Sequence, residues 1–367
     1  MNLFEQTYRD KKILITGNTG FKGSWLTAWL INTGAKVYGL SDNIPTVPSH
    51  FKAAKLENKI QHYYGDIRNL ENVKAIIHEI QPDFLFHLAA QALVSLSYKS
   101  PAMTLETNVL GTINILEALR LGDFSCNAIM ITSDKCYDNV EWTWGYRETD
   151  RIGGKDPYSA SKGAAELAIK TYAASYFSKK DSPVKVTVAR AGNVIGGGDW
   201  ALDRIVPDCV KAWARHETVE VRNPNATRPW QHVLEPLSGY LVLGSNLAEN
   251  PKLNGEPFNF GPSANQNRTV KELIEEMRRH WRQVQWLDIS SAEKHFHEAG
   301  LLKLCCDKAL HSLHWEPTLN FEETVKMTAN WYRSFYENEC SDIFNCTRKQ
   351  IEDYEKIAKS RNLSWTI

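Results

Sequence analysis

Cysteine pairs of the CxxC kind are missing from the chain, and with them the usual ligand set of a structural zinc site, so no metal is expected. No apolar run approaches the ~18 residues that a membrane-spanning helix needs, which excludes such a helix. The first residues, Met1-Asn2-Leu3-Phe4-Glu5, carry neither the basic nor the apolar block of a secretory signal. Positive charge is not in excess: 43 basic side chains balance 43 acidic ones, which speaks against a nucleic-acid partner. Internal repeats and low-complexity stretches are also lacking. The cysteines number seven, odd and scattered apart from Cys305-Cys306. That fits a reducing cytoplasm better than a disulfide framework. What remains is a chain of 367 residues, 43% hydrophobic and 23% charged, long enough for one large domain or two middling ones. Its twelve tryptophans are many for this length.

The first half alternates short apolar runs with helical patterns, as repeated βαβ units do. Lys12-Ile13-Leu14-Ile15-Thr16 reads as a buried strand, Gly17 to Gly23 as a loop, and a helix begins at Ser24. Trp25/Trp29 and Leu26/Leu30 repeat there at i, i+4 and form one apolar face. Further strands are expected at 36–40, 84–87, 128–132 and 184–188, and helices near 73–80, 106–119 and 158–176. This is an α/β, doubly wound parallel-sheet pattern, which binds ligands beyond the strand C-terminal ends. Past residue 190 the texture becomes glycine- and turn-rich. We therefore expect a dinucleotide-binding domain over 1–190, with segments near 233–262 and 318–335 returning to the sheet. A smaller C-terminal substrate domain over 191–317 and a helical tail over 336–367 complete the expected division. The tail's polar helix, 347–358, is expected to pack on its own subunit through Ile351, Tyr354 and Ile357.

Gly17-Asn18-Thr19-Gly20-Phe21-Lys22-Gly23 is a GxxGxxG loop at the first strand–helix junction. Glycines there let phosphates approach the backbone, and the helix N-terminus supplies free N–H groups and a positive dipole end. A bare tight turn would look the same locally; the position favours a dinucleotide. Asp42, closing the second strand, suits the ribose hydroxyls and would repel a 2′-phosphate, with no arginine beside it in sequence. That points to NAD rather than NADP. Asp66 follows the third strand and suits either an adenine contact or a solvated turn.

Tyr158 and Lys162 lie at i, i+4 on one helix face and so can address one substrate. A phenol with an ordinary pKa near ~10 is a poor base at neutral pH. A neighbouring ammonium, aided by the positive nicotinamide ring, is expected to favour the Tyr158 phenolate. Thr132-Ser133-Asp134-Lys135 ends the fifth strand, where Ser133 can bond a hydroxyl being oxidised and Asp134 and Lys135 offer an acid and a base. Read blandly, the same residues make a capped turn and a surface ion pair.

Together these motifs resemble the extended short-chain dehydrogenase/reductase superfamily over nearly the whole chain. The likeness rests on Gly17/Gly20/Gly23, Gly65-Asp66-Ile67, His87-Leu88-Ala89-Ala90-Gln91, Thr107 to Thr112 with Asn108, Ser133, and Tyr158/Lys162. Within it the chain looks like a sugar-nucleotide 4,6-dehydratase, by Thr-Ser-Asp-Lys at 132–135, Gly192 to Trp200, and Arg228 to Val233. Many such enzymes have glutamate where Lys135 stands, and the lysine points to the branch acting on CDP-glucose. The resemblance implies a Rossmann-type fold and NAD bound by Gly17, Thr19, Gly20, Phe21, Lys22, Gly23, Asp42, Asp66, Ile67, Leu88, Ala89, Ala90, Gln91, Asn108, Tyr158 and Lys162. It implies substrate contacts at Asn193, Arg204, Arg228 and His232, and a role in deoxysugar (O-antigen type) biosynthesis. Tyr158 would take the 4-hydroxyl proton with Ser133 sharing the bond, Lys135 the carbon-5 proton, and Asp134 would protonate the leaving 6-hydroxyl. A nucleotide-sugar 4-epimerase shares everything but the pair at 134 and 135, and an inactive NAD-binding regulatory protein shares only the fold. A homodimer or homotetramer is expected, with helices near Ile113 and Ile169 as the pairing faces.

Overall fold

The computed structural model describes residues 2–179, 182–263, 266–281, 284–290 and 301–366, so part of the 191–317 segment lies outside the described residues. The described strands are, in chain order, β1 (Lys12–Thr16), β2 (Lys36–Ser41), β3 (Gln61–Tyr64), β4 (Phe84–His87), β5 (Cys126–Ile131), β6 (Val184–Ala191) and β7 (Val194–Ile195). They continue with β8 (Val219–Val221), β9 (Thr227–Pro229), β10 (Gln231–His232), β11 (Pro257–Phe260), β12 (Asn267–Thr269) and β13 (Trp286–Asp288). Seven of them form a parallel sheet in the order β11-β6-β5-β4-β1-β2-β3. The expected doubly wound architecture is the observed one. Short runs such as Phe84-Leu85-Phe86-His87 are buried throughout because helices cover both faces of the sheet. Along β1, Ile13 and Ile15 enter one hydrophobic core while Leu14 enters the other, as strand alternation requires.

The chain runs outward from β1 through β2 to β3, then returns to place β4 on the other side of β1. That reversal opens a crevice at the C-terminal ends of β1 and β4. Around the same sheet edge lie the segments that follow β5, β6 and β11. Three further two-stranded sheets, β7–β10, β9–β12 and β8–β13, come from the second half of the chain.

Element boundaries shift in instructive places. The first long helix spans Phe21–Asn32 and so starts before Ser24, because Gly20 takes the N-cap position. The helix expected over 106–119 divides into one π turn, Glu106–Leu110, and an α-helix, Gly111–Arg120. The helix carrying Tyr158 and Lys162, Pro157–Tyr172, opens on Asp156, whose carboxylate accepts from Ser159 N at 2.9 Å, with Pro157 in its first turn. The C-terminal helix, Ile343–Ser360, packs on its own chain with Ile351 and Tyr354 buried. Its Glu355 accepts from Trp29 Nε1 at 2.7 Å, and Trp365 stacks on Phe4 and Tyr354. Against the expectation of unbridged cysteines, Cys340 and Cys346 are joined in a disulfide across the turn that starts this helix, with Cα atoms 6.5 Å apart. Five others are thiols.

Candidate active site

Gly17 sits at φ +75°, and a β-carbon there would come within 2.7 Å of Ala89 N. A β-carbon on Gly23 would run into the Gly17 carbonyl, so the helix can approach β1 only through glycine. No side chain caps the helix at Gly20, which leaves its first-turn N–H groups facing the crevice. These features fit a dinucleotide phosphate. Thr19 is buried and donates to the Asn43 carbonyl at 2.7 Å, holding the loop against the end of β2. Phe21 and Lys22 follow on the first turn, but the Lys22 side chain runs inward. Its Nζ lies 3.5 Å from the Tyr240 hydroxyl, and loss of hydration pushes it down to about 8 while Asp134 opposes the shift.

Asp42 is exposed just past β2. Although no arginine neighbours it in sequence, the fold brings Arg68 within its electrostatic reach. Arg68 is already held by Asp66, with contacts of 2.6 to 3.0 Å to both carboxylate oxygens. The same pairing draws the Asp66 carboxyl below its ordinary range. Ile67 is buried against Gly111, and its carbonyl accepts from Asn114 at 2.9 Å. Leu88, Ala89 and Ala90 are half-buried after β4. Gln91 N donates to Asn108 Oδ1 at 2.8 Å, and Asn108 Nδ2 donates to the Gln91 carbonyl at 3.0 Å and to Ser161 Oγ at 2.8 Å. Asn108, in its π turn, thus ties the end of β4 to the helix carrying Tyr158 and Lys162. A π turn at such a junction is a familiar mark of a functional site.

Ser133, Asp134, Tyr158 and Lys162 are all buried, and Lys135 half-buried. Ser133 caps the short turn Asp134–Cys136, accepting from Lys135 N at 3.1 Å and donating to Asp134 Oδ1 at 2.8 Å. Its hydroxyl lies near enough to the Tyr158 phenol to pull its pKa down. Burial raises the Asp134 carboxyl, with Lys135, Ser133 and Lys22 pulling the other way. The protonated form that an acid catalyst needs is therefore favoured. Burial also pushes Tyr158 up to about 12, with Ser133 and Arg204 opposing it, and Lys162 down to about 8. Lys162 Nζ stands 6.0 Å from the ring centroid, and desolvation outweighs whatever it contributes.

Behind these residues lies a charged pair that the sequence did not disclose. Arg190 of β6 grips Glu166 of the Tyr158–Lys162 helix with two bonds of 2.8 Å, both side chains being nearly inaccessible. Glu166 also accepts from Thr132 Oγ1 at 2.5 Å, next to Ser133. Only proximity in space reveals it, since residues 132, 166 and 190 belong to three elements.

Of the proposed substrate contacts, Asn193 is exposed on the loop after β6. Arg204 binds Asp199 at 2.7 Å and lies within electrostatic reach of Tyr158. Arg228 of β9 stands opposite Arg268 of β12, a second cation not singled out beforehand. His232 is placed elsewhere: it is fully buried, accepts from Leu234 N at 3.3 Å and meets Trp25 edge-on, so it does not line the cleft. Its neighbour Gln231, pointing the other way along β10, lines the cleft together with Asp134, Gly192, Pro229, Asn267 and Lys303. The glycines of 196–198 serve packing. A β-carbon on Gly197 would run into Trp331, and the Gly197 carbonyl accepts from Trp25 Nε1 at 2.8 Å.

Among the described residues no group of three or more His, Cys, Asp or Glu is placed to hold a metal ion, and no helix is long and apolar enough to cross a membrane. A sequence profile described as GDP-mannose 4,6-dehydratase matches residues 14–328. The CDP-glucose 4,6-dehydratase of Salmonella typhimurium is 43% identical over 352 residues, covering 95% of this chain and 97% of that protein. The CDP-paratose 2-epimerase of Salmonella typhi is 26% identical over 359 residues, covering 88% and 99%. Among solved structures, an epimerase from Methanothermobacter thermautotrophicus superposes with a TM-score of 0.78 at 24% identity, covering 92% of this chain and 96% of that one. A dTDP-glucose 4,6-dehydratase from Streptomyces venezuelae gives 0.72 at 20% identity, covering 90% and 99%. At these identities the structural likeness speaks for the fold.

Proposed function

The chain belongs to the GDP-mannose 4,6-dehydratase family, and on that premise we propose that it converts CDP-D-glucose to CDP-4-keto-6-deoxy-D-glucose in an NAD-dependent dehydration. The family profile carries the name of a GDP-sugar enzyme. The choice of a CDP-sugar is supported by the 43% identity to a CDP-glucose 4,6-dehydratase and by Lys135 beside Asp134. The observation that carries the reaction type is Asp134, a buried carboxyl held towards its neutral form at the end of β5. A 4-epimerase has no leaving hydroxyl to protonate and gains nothing from such an acid.

The glycine loop, Asp42 and Lys162 would hold NAD, with Asp42 favouring the form without a 2′-phosphate. Bound there, NAD would supply the hydride acceptor for carbon 4 and the hydride donor for carbon 6. The chain's own residues handle protons. Ser133 donates to Asp134 in the resting arrangement; a protonated Asp134 can instead donate, freeing the Ser133 hydroxyl to serve Tyr158. Tyr158 then removes the 4-hydroxyl proton. The 4-ketone acidifies the carbon-5 hydrogen, which Lys135 takes while Asp134 gives its proton to the 6-oxygen, and water departs. Arg228, with Arg268 opposite it, supplies cations for the diphosphate. Two like charges directly across a strand pair favour an anion between them.

A cytoplasmic location belongs to the same proposal, supported by five unbridged cysteines against the one bridge between Cys340 and Cys346. So does self-association. Ile169 is 1% exposed and belongs to the core, but Leu167 on its helix and Leu110 in the π turn just before the helix of Ile113 are exposed and offer an apolar face in its place. Incubation with CDP-glucose and NAD, followed by NMR of the product, tests the reading. A 6-methyl signal with a 4-keto carbon is expected. A galactose-configured product would transfer the chain to the epimerases, and no turnover of any nucleoside diphosphate sugar would end the catalytic reading.

A further inference from the structure

Gln231 is 1% exposed, yet it lines the cleft that also contains Asp134. β10 pairs with β7 so that Gln231 lies opposite Val194 and His232 opposite Ile195, and the two side chains leave on opposite faces. His232 goes into the core. The Gln231 amide nitrogen donates to the Phe260 carbonyl, at 3.4 Å, where β11 ends. That bond orients the carboxamide and turns its oxygen the other way. The oxygen is buried and has no partner among the described residues. Asn267, lining the same cleft, has its own amide oxygen in the same condition. A buried carbonyl left unbonded is costly, and folded proteins retain one where a ligand completes it. Both orphans are acceptors, so the missing partner is a donor. Beside them Asp134 is the carboxyl that burial holds towards neutrality. Neutral acceptors next to a protonated acid suit a hydroxyl better than a phosphate or a carboxylate.

Resting on the dehydration proposed above, we infer that Gln231 accepts a hydrogen bond from the 6-hydroxyl of the hexose, the group that leaves. In the elimination the Asp134 proton passes to that oxygen, the carbon–oxygen bond breaks, the carbon-5 proton goes to Lys135, and water forms. Gln231 gains and loses no proton. Its bond to the O–H holds the oxygen with its lone pair towards Asp134, and it then holds the departing water. Gln231 is a substrate-binding residue that sets the geometry of the leaving group.

The test is a binding cycle in the NAD-loaded Tyr158→Phe enzyme, which retains the site without turning substrate over. Affinities are measured for CDP-glucose, CDP-6-deoxyglucose and CDP-3-deoxyglucose, with Gln231 intact and as Gln231→Leu and Gln231→Met. With Gln231 present, loss of the 6-hydroxyl should weaken binding about tenfold, the size of one buried hydrogen bond. In both variants that ratio should fall severalfold, to the part that Asp134 supplies, while the 3-deoxy ratio stays as it was. Gln231→Met keeps the length of the side chain, so it serves if the leucine variant does not fold. The inference is overturned if the 6-deoxy ratio survives both substitutions, if the enzyme with Gln231 does not discriminate, or if only the 3-deoxy ratio changes. Product formation by the unmodified enzyme is read separately, so failure of the dehydratase reading and failure of this assignment give different results.

Discussion

Tyr158 and Lys162 stand one helical turn apart, and desolvation moves each away from the charge state that the pair is usually credited with. Tyr158 rises to about 12 and Lys162 falls to about 8. At neutral pH the phenol without cofactor is protonated; the positive nicotinamide ring of bound NAD would favour the phenolate that takes the 4-hydroxyl proton. Lys135 is assigned the second proton transfer, and Lys135→Ala should therefore stall elimination while reduction of NAD persists. Rapid mixing with substrate should show the absorbance of reduced nicotinamide appear and remain. Equal loss of both phases would make Lys135 a structural residue. His232 offers a test of a different kind. Burial holds its pKa at about 3, whereas an unfolded chain titrates near ~6.5. The folded form stays neutral as pH falls while the unfolded form takes up a proton, so wild type loses stability from pH ~6.5 downward. His232→Met removes that term. Relative to wild type the variant should gain about 2 kcal/mol between pH 7.5 and pH 5 in urea unfolding. A constant difference across that range would mean that the ring titrates in the fold as it does in the unfolded chain.

Among the elements, the helix carrying Tyr158 and Lys162 owes its place to three attachments: the Asp156 cap, the Asn108–Ser161 bond, and the Glu166–Arg190 clamp with Thr132. Removing one partner of a buried ion pair leaves the other charge uncompensated. Glu166→Gln should therefore cost about 3–5 kcal/mol in chemical denaturation. It should also lower kcat more than it raises KM, because Thr132 and Ser133 lose their anchor. A variant as stable as wild type would show that water replaces the carboxylate. Of the parallel strands, β1, β2, β4, β5 and β6 were legible beforehand because strands buried on both faces read as short unbroken apolar runs, and the cofactor loop because its glycines sit at a junction with a patterned strand before it. β10 was not legible. A strand of two residues has no alternation to read, so nothing local decides that Gln231 meets the cleft and His232 the core. Arg190 and Tyr240 escaped notice for a related reason: each looks like an ordinary strand or helix residue until the fold sets it beside Glu166 or Lys22.

For the molecule as a whole, zero net charge proved compatible with a site that concentrates cations locally, Lys22, Lys162 and Arg204 all lying within electrostatic reach of the Asp134–Tyr158 pair or of one another. The tryptophans have acquired a common task. Trp25, Trp29, Trp331 and Trp365 bind the cofactor helix, the 196–198 loop and the C-terminal helix into one core. Trp365→Ala opens that core and should cost about 3–5 kcal/mol by thermal or urea unfolding. A loss below 1 kcal/mol would show that Phe4 and Tyr354 close over the gap. The bond from Trp29 to Glu355 joins residues 326 positions apart. On a ribosome, then, the helix that carries the nucleotide loop is made early and must wait, its indole unpartnered, until almost the whole chain has emerged. Contacts of such long reach slow folding and lengthen the time that sticky surface is exposed. Yield in a cell should therefore depend on chaperone supply and growth temperature more than the finished molecule's stability would suggest.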